Sequence, residues 1–274
     1  MLNDSRILKQ KEFWLSNLKD LPEFKLPTDY VRINEVGNTG GWISFAIDKA
    51  LSDQLDALAE QENITKFMLF ISSYALLLKD ISGQDEFAVG TPILGRPQSE
   101  LQDIIGMFVN LLPITFKCEN ELSFNHFVKN VAETTITSFE NANFQFEDMV
   151  KELNIKPRLN RTPIFDTVFS YMNIGMADFI LPEVKFSRYE INQKNTRFDI
   201  TFFVKENPEG YEFNIEYKKN LFKEETINYF KQRYLTLLNS IVACPDTEIK
   251  QMLSMDNEGN HSGTAEDDLF DFNF

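Results

Sequence analysis

Histidine is nearly missing from this sequence. The chain holds two, His126 and His261, in 274 residues, and they are far apart. Imidazole-based general acid–base catalysis is therefore hard to build from this chain alone. Cysteine is equally scarce. Cys118 and Cys244 make no CxxC or zinc-like spacing, which argues against a disulfide scaffold and for a reducing compartment. Positive charge is short as well, with 27 Lys+Arg against 42 Asp+Glu and a formal charge of −15. Nucleic acid and anionic membrane surfaces would both repel such a chain. No run approaches the ~18 consecutive apolar residues of a membrane span, and the first residues carry no signal-peptide core. The expected address is the cytosol.

What is present is a large apolar fraction, 43%, and an unusual 26 Phe. Hydrophobic periodicity predicts a helix over 5–19, with Ile7, Leu8, Phe13, Trp14, Leu15 and Leu18 at helical spacing. Trp42–Ile47 alternates as a strand. Ser52 opens a second helix and Thr65 caps a third, strongly apolar one through Leu78. Short strands follow at Phe87–Thr91 and Val109–Phe116. Ser123 caps a helix bearing Phe124, Phe127, Val128 and Val131, and a shorter helix covers 144–153 with Glu147 and Asp148 near its start. Pro157–Pro163 reads as a loop. Strand-like runs then occupy Phe165–Tyr171, Val184–Tyr189, Phe198–Val204 and Tyr211–Tyr217, before a last amphipathic helix over 223–243. Asn207-Pro208-Glu209-Gly210 marks a hairpin turn. The pattern is an α/β fold, helices packed on a mixed, mostly antiparallel sheet in a two-layer sandwich.

Few residues suggest chemistry. Gly90 to Gly95 has the G-x4-G spacing of a phosphate loop, but no Lys-Ser/Thr pair follows and Pro92 removes a backbone donor. It reads as a strand running into a kinked turn. Asp199, between Phe198 and Ile200, is either a solvent-facing acid paired locally with Arg197 or a buried acid that positions a neighbouring loop. His126 reads as a surface residue. No metal-ligand cluster and no nucleophile elbow is visible.

Several strings, in order, carry a resemblance. Phe13-Trp14 precedes Leu26-Pro27-Thr28-Asp29, and Gly95-Arg96 precedes Ile105-Gly106-Met107-Phe108-Val109-Asn110. Asn141-Ala142-Asn143-Phe144-Gln145-Phe146-Glu147 and Asn160-Arg161-Thr162-Pro163-Ile164 follow, then Arg197-Phe198-Asp199-Ile200-Thr201, Tyr217 and Leu221-Phe222. Together they resemble the YW…LPTD, GR, IGxFVNT, (H/N)QDYPFE, RDxSRNPL, FDLT and Y…LF strings of condensation domains from nonribosomal peptide synthetases. Leu111, Thr115 and Gln145 depart from the pattern, standing where the family has Thr, Arg and Pro.

The resemblance implies a lobe of the chloramphenicol acetyltransferase-like fold over residues 1–255. The family's HHxxxDG motif belongs to an N-terminal lobe and has no match here, so the chain is similar to the C-terminal lobe and is expected to be inactive alone. In the family the two lobes enclose a tunnel. Carrier proteins deliver a thioester and an amine on phosphopantetheine arms for amide-bond formation, and no cofactor is bound by the lobe itself. The resemblance puts Gly106, Phe108 and Asn110 near the tunnel wall. Physically, Gly106 permits close backbone approach or a positive φ, and Asn110 either hydrogen-bonds a pantetheine amide or simply ends a strand beside core residues. Gly95, Arg96, Phe146, Glu147, Arg161, Pro163 and Asp199 are the structural motif positions. An epimerization-domain lobe shares this architecture and is the related alternative.

A different class is an interaction module using the C-terminal tail. Six acids from Asp256 to Asp271 carry the formal charge of the chain from −9 to −15. Residues 256–274 read as a flexible acidic tail with a docking peptide at 266–274, where Asp267, Asp268 and Leu269 precede alternating Phe270, Phe272 and Phe274. An extended tail would line these rings on one face, suited to strand addition on a downstream synthetase subunit. A solvated terminus is the plainer alternative.

Overall fold

The computed structural model describes residues 4–32, 39–96, 99–101, 103–156, 158, 161–172 and 195–258. The expected strand at Val184–Tyr189 and the tail beyond Glu258 lie outside them. The elements are α1 (Asp4–Leu18), β1 (Gly40–Ala46), α2 (Lys49–Gln61), α3 (Lys66–Ser82), β2 (Glu86–Ile93) and β3 (Asn110–Lys117). Then come α4 (Phe124–Glu140), α5 (Phe146–Glu152), β4 (Thr167–Met172), β5 (Ile200–Asn207), β6 (Gly210–Lys218), α6 (Glu224–Ala243) and α7 (Ile249–Glu258). A short 3-10 turn, Ser99–Leu101, sits between β2 and β3.

Local side-chain caps set the starts of α2, α3 and α4. Thr65 accepts the Met68 N–H and Ser123 the His126 N–H, as their sequence positions imply. The α2 start differs from expectation. Asp48, not Ser52, is the cap and accepts from Leu51 N, while Ser52 is buried in the first turn and donates to the Asp48 carbonyl at 2.8 Å. Helix α7 was not foreseen. Its apolar anchors Ile249 and Met252 pack into the core, so the expected boundary at residue 255 falls inside a helix.

The six strands form one sheet in the order β1-β6-β5-β4-β2-β3. β4 runs parallel to β2 and β5, and the other three contacts are antiparallel. Asn207 faces Gly210 across the predicted hairpin. Period-two alternation directs Phe87, Val89, Leu112, Ile114, Phe169, Phe202, Phe213 and Ile215 into the main core. Helix α3 lies at its centre, packed on both α4 and α6, and is apolar nearly all round because it is buried nearly all round.

Much of the Phe excess is accounted for here. The Phe202 ring stacks on Tyr74 at 4.7 Å and meets Tyr234 edge-on at 4.7 Å, with Phe169, Phe213 and Phe45 around it. The two tyrosine hydroxyls are satisfied inside this cluster, Tyr74 by Thr167 Oγ1 and Tyr234 by Ser73 Oγ at 2.9 Å. Burial drives the proton affinity of both phenols upward.

Candidate functional site

Strands β2 and β3 form an antiparallel pair joined by a long connection that carries the Gly-Arg and IGMFVN strings. Gly95 adopts φ +61°, and a Cβ there would lie 1.8 Å from the Phe108 carbonyl oxygen, so only glycine fits. Next to it Arg96 stacks its guanidinium over the Phe108 ring, 4.2 Å from the centroid. The same guanidinium donates to the Leu101 carbonyl and, at 3.2 Å, to the Gly106 carbonyl. Gly106 itself serves close approach: a Cβ would sit 3.1 Å from the Phe108 ring. The connection is thus pinned from below, while its outer side shows apolar groups to solvent. Ile105 and Met107 are 102% and 93% exposed, and Leu94, Ile104 and Val109 are exposed beside them.

Asn110 opens β3 and is buried. Its Nδ2 donates to the Ala142 and Phe144 carbonyls at 2.9 and 3.3 Å. Its Oδ1 accepts from Leu111 N at 2.9 Å and Phe146 N at 3.2 Å. Both ends of the amide are engaged by backbone groups of this chain, which gives Asn110 the strand-end reading rather than a free hydrogen-bonding role toward a pantetheine amide. It ties the IGMFVN string to the NANFQFE string. Helix α5 then starts at Phe146, whose N–H that amide receives; Glu147 and Asp148 stay exposed in the first turn. The Phe146 ring packs against Phe165 at 5.2 Å. Phe165 in turn lies over Gly90, where a Cβ would approach within 2.2 Å of the ring. These contacts form a second, smaller core with Ala88 and Val168 on the face of the sheet opposite the main helices.

From Phe165 the contacts pass into an ionic ladder. Arg161 Nε donates to Asp166 Oδ2 at 2.9 Å, and its terminal nitrogens reach Glu23 and the Phe24 carbonyl. Pro163 is half-buried and its carbonyl accepts the Phe165 N–H. The Asp199 N–H donates to the Asp166 carbonyl at 2.9 Å. The Asp199 carboxylate is 1% exposed and paired with Lys218 at 3.0 Å and with Arg32. Asp199 is therefore the buried, loop-positioning acid. Its partner is not Arg197, which lies over the Phe198 ring. Burial raises the proton affinity of Asp166 against the pull of Arg161, with the Asp199 charge adding to the rise. Arg32 and Lys218 were not anticipated as site residues; they lie far from Asp199 or on another strand, and no local pattern marks them.

Further along the same face, Trp42 stacks on Phe203 at 5.8 Å and Ser44 bonds Asn214. Glu216 stands opposite Trp42 on β1 and Thr201 on β5, 7% exposed, its pKa raised by burial and partly restrained by the Thr196 and Thr201 hydroxyls. His126 is exposed, with Nδ1 2.9 Å from the Ser123 hydroxyl at the α4 cap. No metal-binding group of His, Cys, Asp or Glu occurs among the described residues, and none of their helices is long and apolar enough to cross a membrane. The tail residues Asp267, Asp268, Leu269, Phe270, Phe272 and Phe274 lie outside the description. The arrangement can present and orient a loop and a polar sheet face; among the described residues it does not assemble an acid–base pair.

A sheet layered on helices, with its motif strings joined in one line of contacts across the opposite face, is the fold and motif arrangement of the condensation type. The chain belongs to the condensation-domain family: the family model described as Condensation domain matches residues 1–262. Gramicidin S synthase 2 of Brevibacillus brevis is 34% identical over 91% of this chain, and surfactin synthase subunit 1 of Bacillus subtilis 33% over 89%. The chain spans 6% and 7% of those proteins. Among solved structures, a four-domain nonribosomal peptide synthetase bound to AMP and glycine superposes with a TM-score of 0.84 at 22% identity, over 92% of this chain and 20% of that one. The X-domain from teicoplanin biosynthesis gives 0.82 at 21% identity, over 90% of this chain and 57% of that one. These likenesses establish the fold.

Proposed function

We propose that the chain is the C-terminal lobe of a nonribosomal peptide synthetase condensation domain and supports amide-bond formation between a carrier-bound thioester and a carrier-bound amine. The observation that carries this reading is the family match over residues 1–262 in a chain whose two histidines are separate. The general base that assists attack of the amine then comes from an N-terminal lobe bearing HHxxxDG. This lobe supplies the other wall of a tunnel through which phosphopantetheine arms of the carrier proteins enter.

In this reading the exposed apolar loop around Gly106 and Phe108 is where the N-terminal lobe or the arm seats. Two facts support that use. The loop is held by Arg96 and Asn110 rather than left to collapse, and Ile105 and Met107 face solvent. Burying such side chains against a partner releases about 25 cal/mol per Å² of apolar surface. Asn110 then acts as a positioning residue for that loop. The test is reconstitution: the chain mixed with an N-terminal lobe should yield amide product that neither yields alone.

A second reading, a partner-binding module without chemistry of its own, is favoured by the same exposed loop. One solved neighbour of this fold is an X-domain in complex with OxyB. Docking of the acidic, Phe-rich tail on a downstream subunit belongs to this reading, and loss of affinity on deleting residues 264–274 is its test.

A further inference from the structure

Strand β3 ends the sheet, with β2 on one side and no described strand on the other. Just past it the Cys118 N–H donates to the Asp85 carbonyl at 2.8 Å, in continuation of the β2–β3 register. The even-numbered residues of β3 therefore bond to β2, and the odd-numbered ones turn N–H and C=O outward. Along that outer edge the Leu111 N–H is taken by Asn110 Oδ1 at 2.9 Å, and Pro113 has no N–H. Thr115 and Lys117 remain, and their outward backbone groups have no partner among the described residues. Neither residue is buried. The stretch opens into a groove of about 350 Å³, bounded by the end of α1 on one side and by α4 on the other.

The two faces of this edge differ in chemistry. Phe116, on one face, joins Phe127, Val131 and half-buried Leu122 in an apolar floor. Thr115 and Lys117 share the other face with Glu86 of β2, which stands opposite Lys117. Lys117 pairs with Glu119 at 3.0 Å, and its proton affinity is raised by Glu119 first and by Glu86 as well. One ammonium thus serves two carboxylates, and the rim is net negative. Glu86 is exposed and has no ion pair of its own among the described residues. Thr115 is its diagonal neighbour on this face and stands where the family pattern has Arg. The short threonine leaves that carboxylate open.

We propose that this groove is a docking site for an extended, basic segment of a partner chain, which adds to β3 as a strand at Thr115 and Lys117. Alternation fixes what such a strand carries: arginine or lysine on the side of Glu86, and apolar residues toward the floor. The site is separate from the amide-forming reading and stands without it.

The experiment is an amide-detected NMR titration of the full chain at low salt with two end-capped peptides, Arg-Leu-Arg-Leu-Arg and Glu-Leu-Glu-Leu-Glu. The basic peptide should bind saturably and about tenfold or more tighter than the acidic one, because like charges repel at the rim. The amide signals of Thr115 and Lys117 should move, and those of Ile114 and Phe116, already bonded to β2, much less. Glu86→Gln, at an exposed position, should reduce the preference for the basic peptide. Thr115→Arg, with folding checked by circular dichroism, should occupy the groove, pair with Glu86 and abolish binding. No saturable binding of the basic peptide, equal binding of the two, shifts centred elsewhere, or undiminished binding by either variant would each overturn the proposal.

Discussion

The carboxamide oxygen of Asn110 accepts the backbone N–H of Phe146 at 3.2 Å, joining the start of β3 to the start of α5. Two strings of sequence that look independent are one unit through this bond. The same amide also holds Ala142 and Phe144. Asn110→Ala would leave two carbonyls and two N–H groups without their side-chain partner. The expected loss is about 3 kcal/mol in urea unfolding, the range for orphaned buried polar groups. A loss within experimental error would show that the amide is dispensable.

Gly95 lies so close to the Phe108 carbonyl that any side chain must displace it. Gly95→Ala should therefore release the loop while the main core persists. Hydrogen exchange should show faster amides at 104–109 and unchanged protection in α3. Uniform loss of protection would instead place Gly95 in the global fold.

Glu216 is buried and its pKa is raised, chiefly by desolvation. An unfolded Glu titrates near ~4.3. Between that value and the higher folded one, the folded state binds more protons, so stability falls as pH rises through the window and stays lowered above it. Glu216→Gln removes the ionisation while keeping the shape. Its urea midpoint should exceed the parent's at neutral pH, and the advantage should vanish on acidification below about pH 4. A constant difference at every pH would mean that ionisation plays no part.

Ile105 and Met107 are exposed, so replacing both with Asp should change folding stability by no more than ~0.5 kcal/mol each. Affinity for an N-terminal lobe should fall about tenfold or more, since charge would enter an apolar contact. Unaltered affinity in calorimetric titration would move the lobe contact elsewhere.

What the sequence reveals follows the range of each interaction. The Thr65 and Ser123 caps act within three residues, and the Asn207–Gly210 turn within four, so local pattern identifies them. The alternating Phe and Val of β2, β4, β5 and β6 mark core strands for the same reason. Asp199 is different. Its partner Arg32 comes from a segment 167 residues earlier, and the neighbouring Arg197 is a decoy that lies over Phe198 instead. The engagement of Asn110 likewise depends on carbonyls beyond α4. Helix α7 is harder to read because its apolar residues Ile249, Met252 and Leu253 form only a short stripe next to the acidic terminal stretch, and burial on the core holds it. Family strings point to stretches of chain; only the folded contacts tell which of their side chains are already engaged and which face outward.

The most direct measurement supplies the chain with a separately produced N-terminal lobe bearing HHxxxDG, one carrier-bound thioester and one carrier-bound amine, and follows amide product by mass spectrometry. The account predicts product when both lobes are present and none from either alone. Turnover by this chain alone, or no product from a demonstrated two-lobe complex, would contradict it.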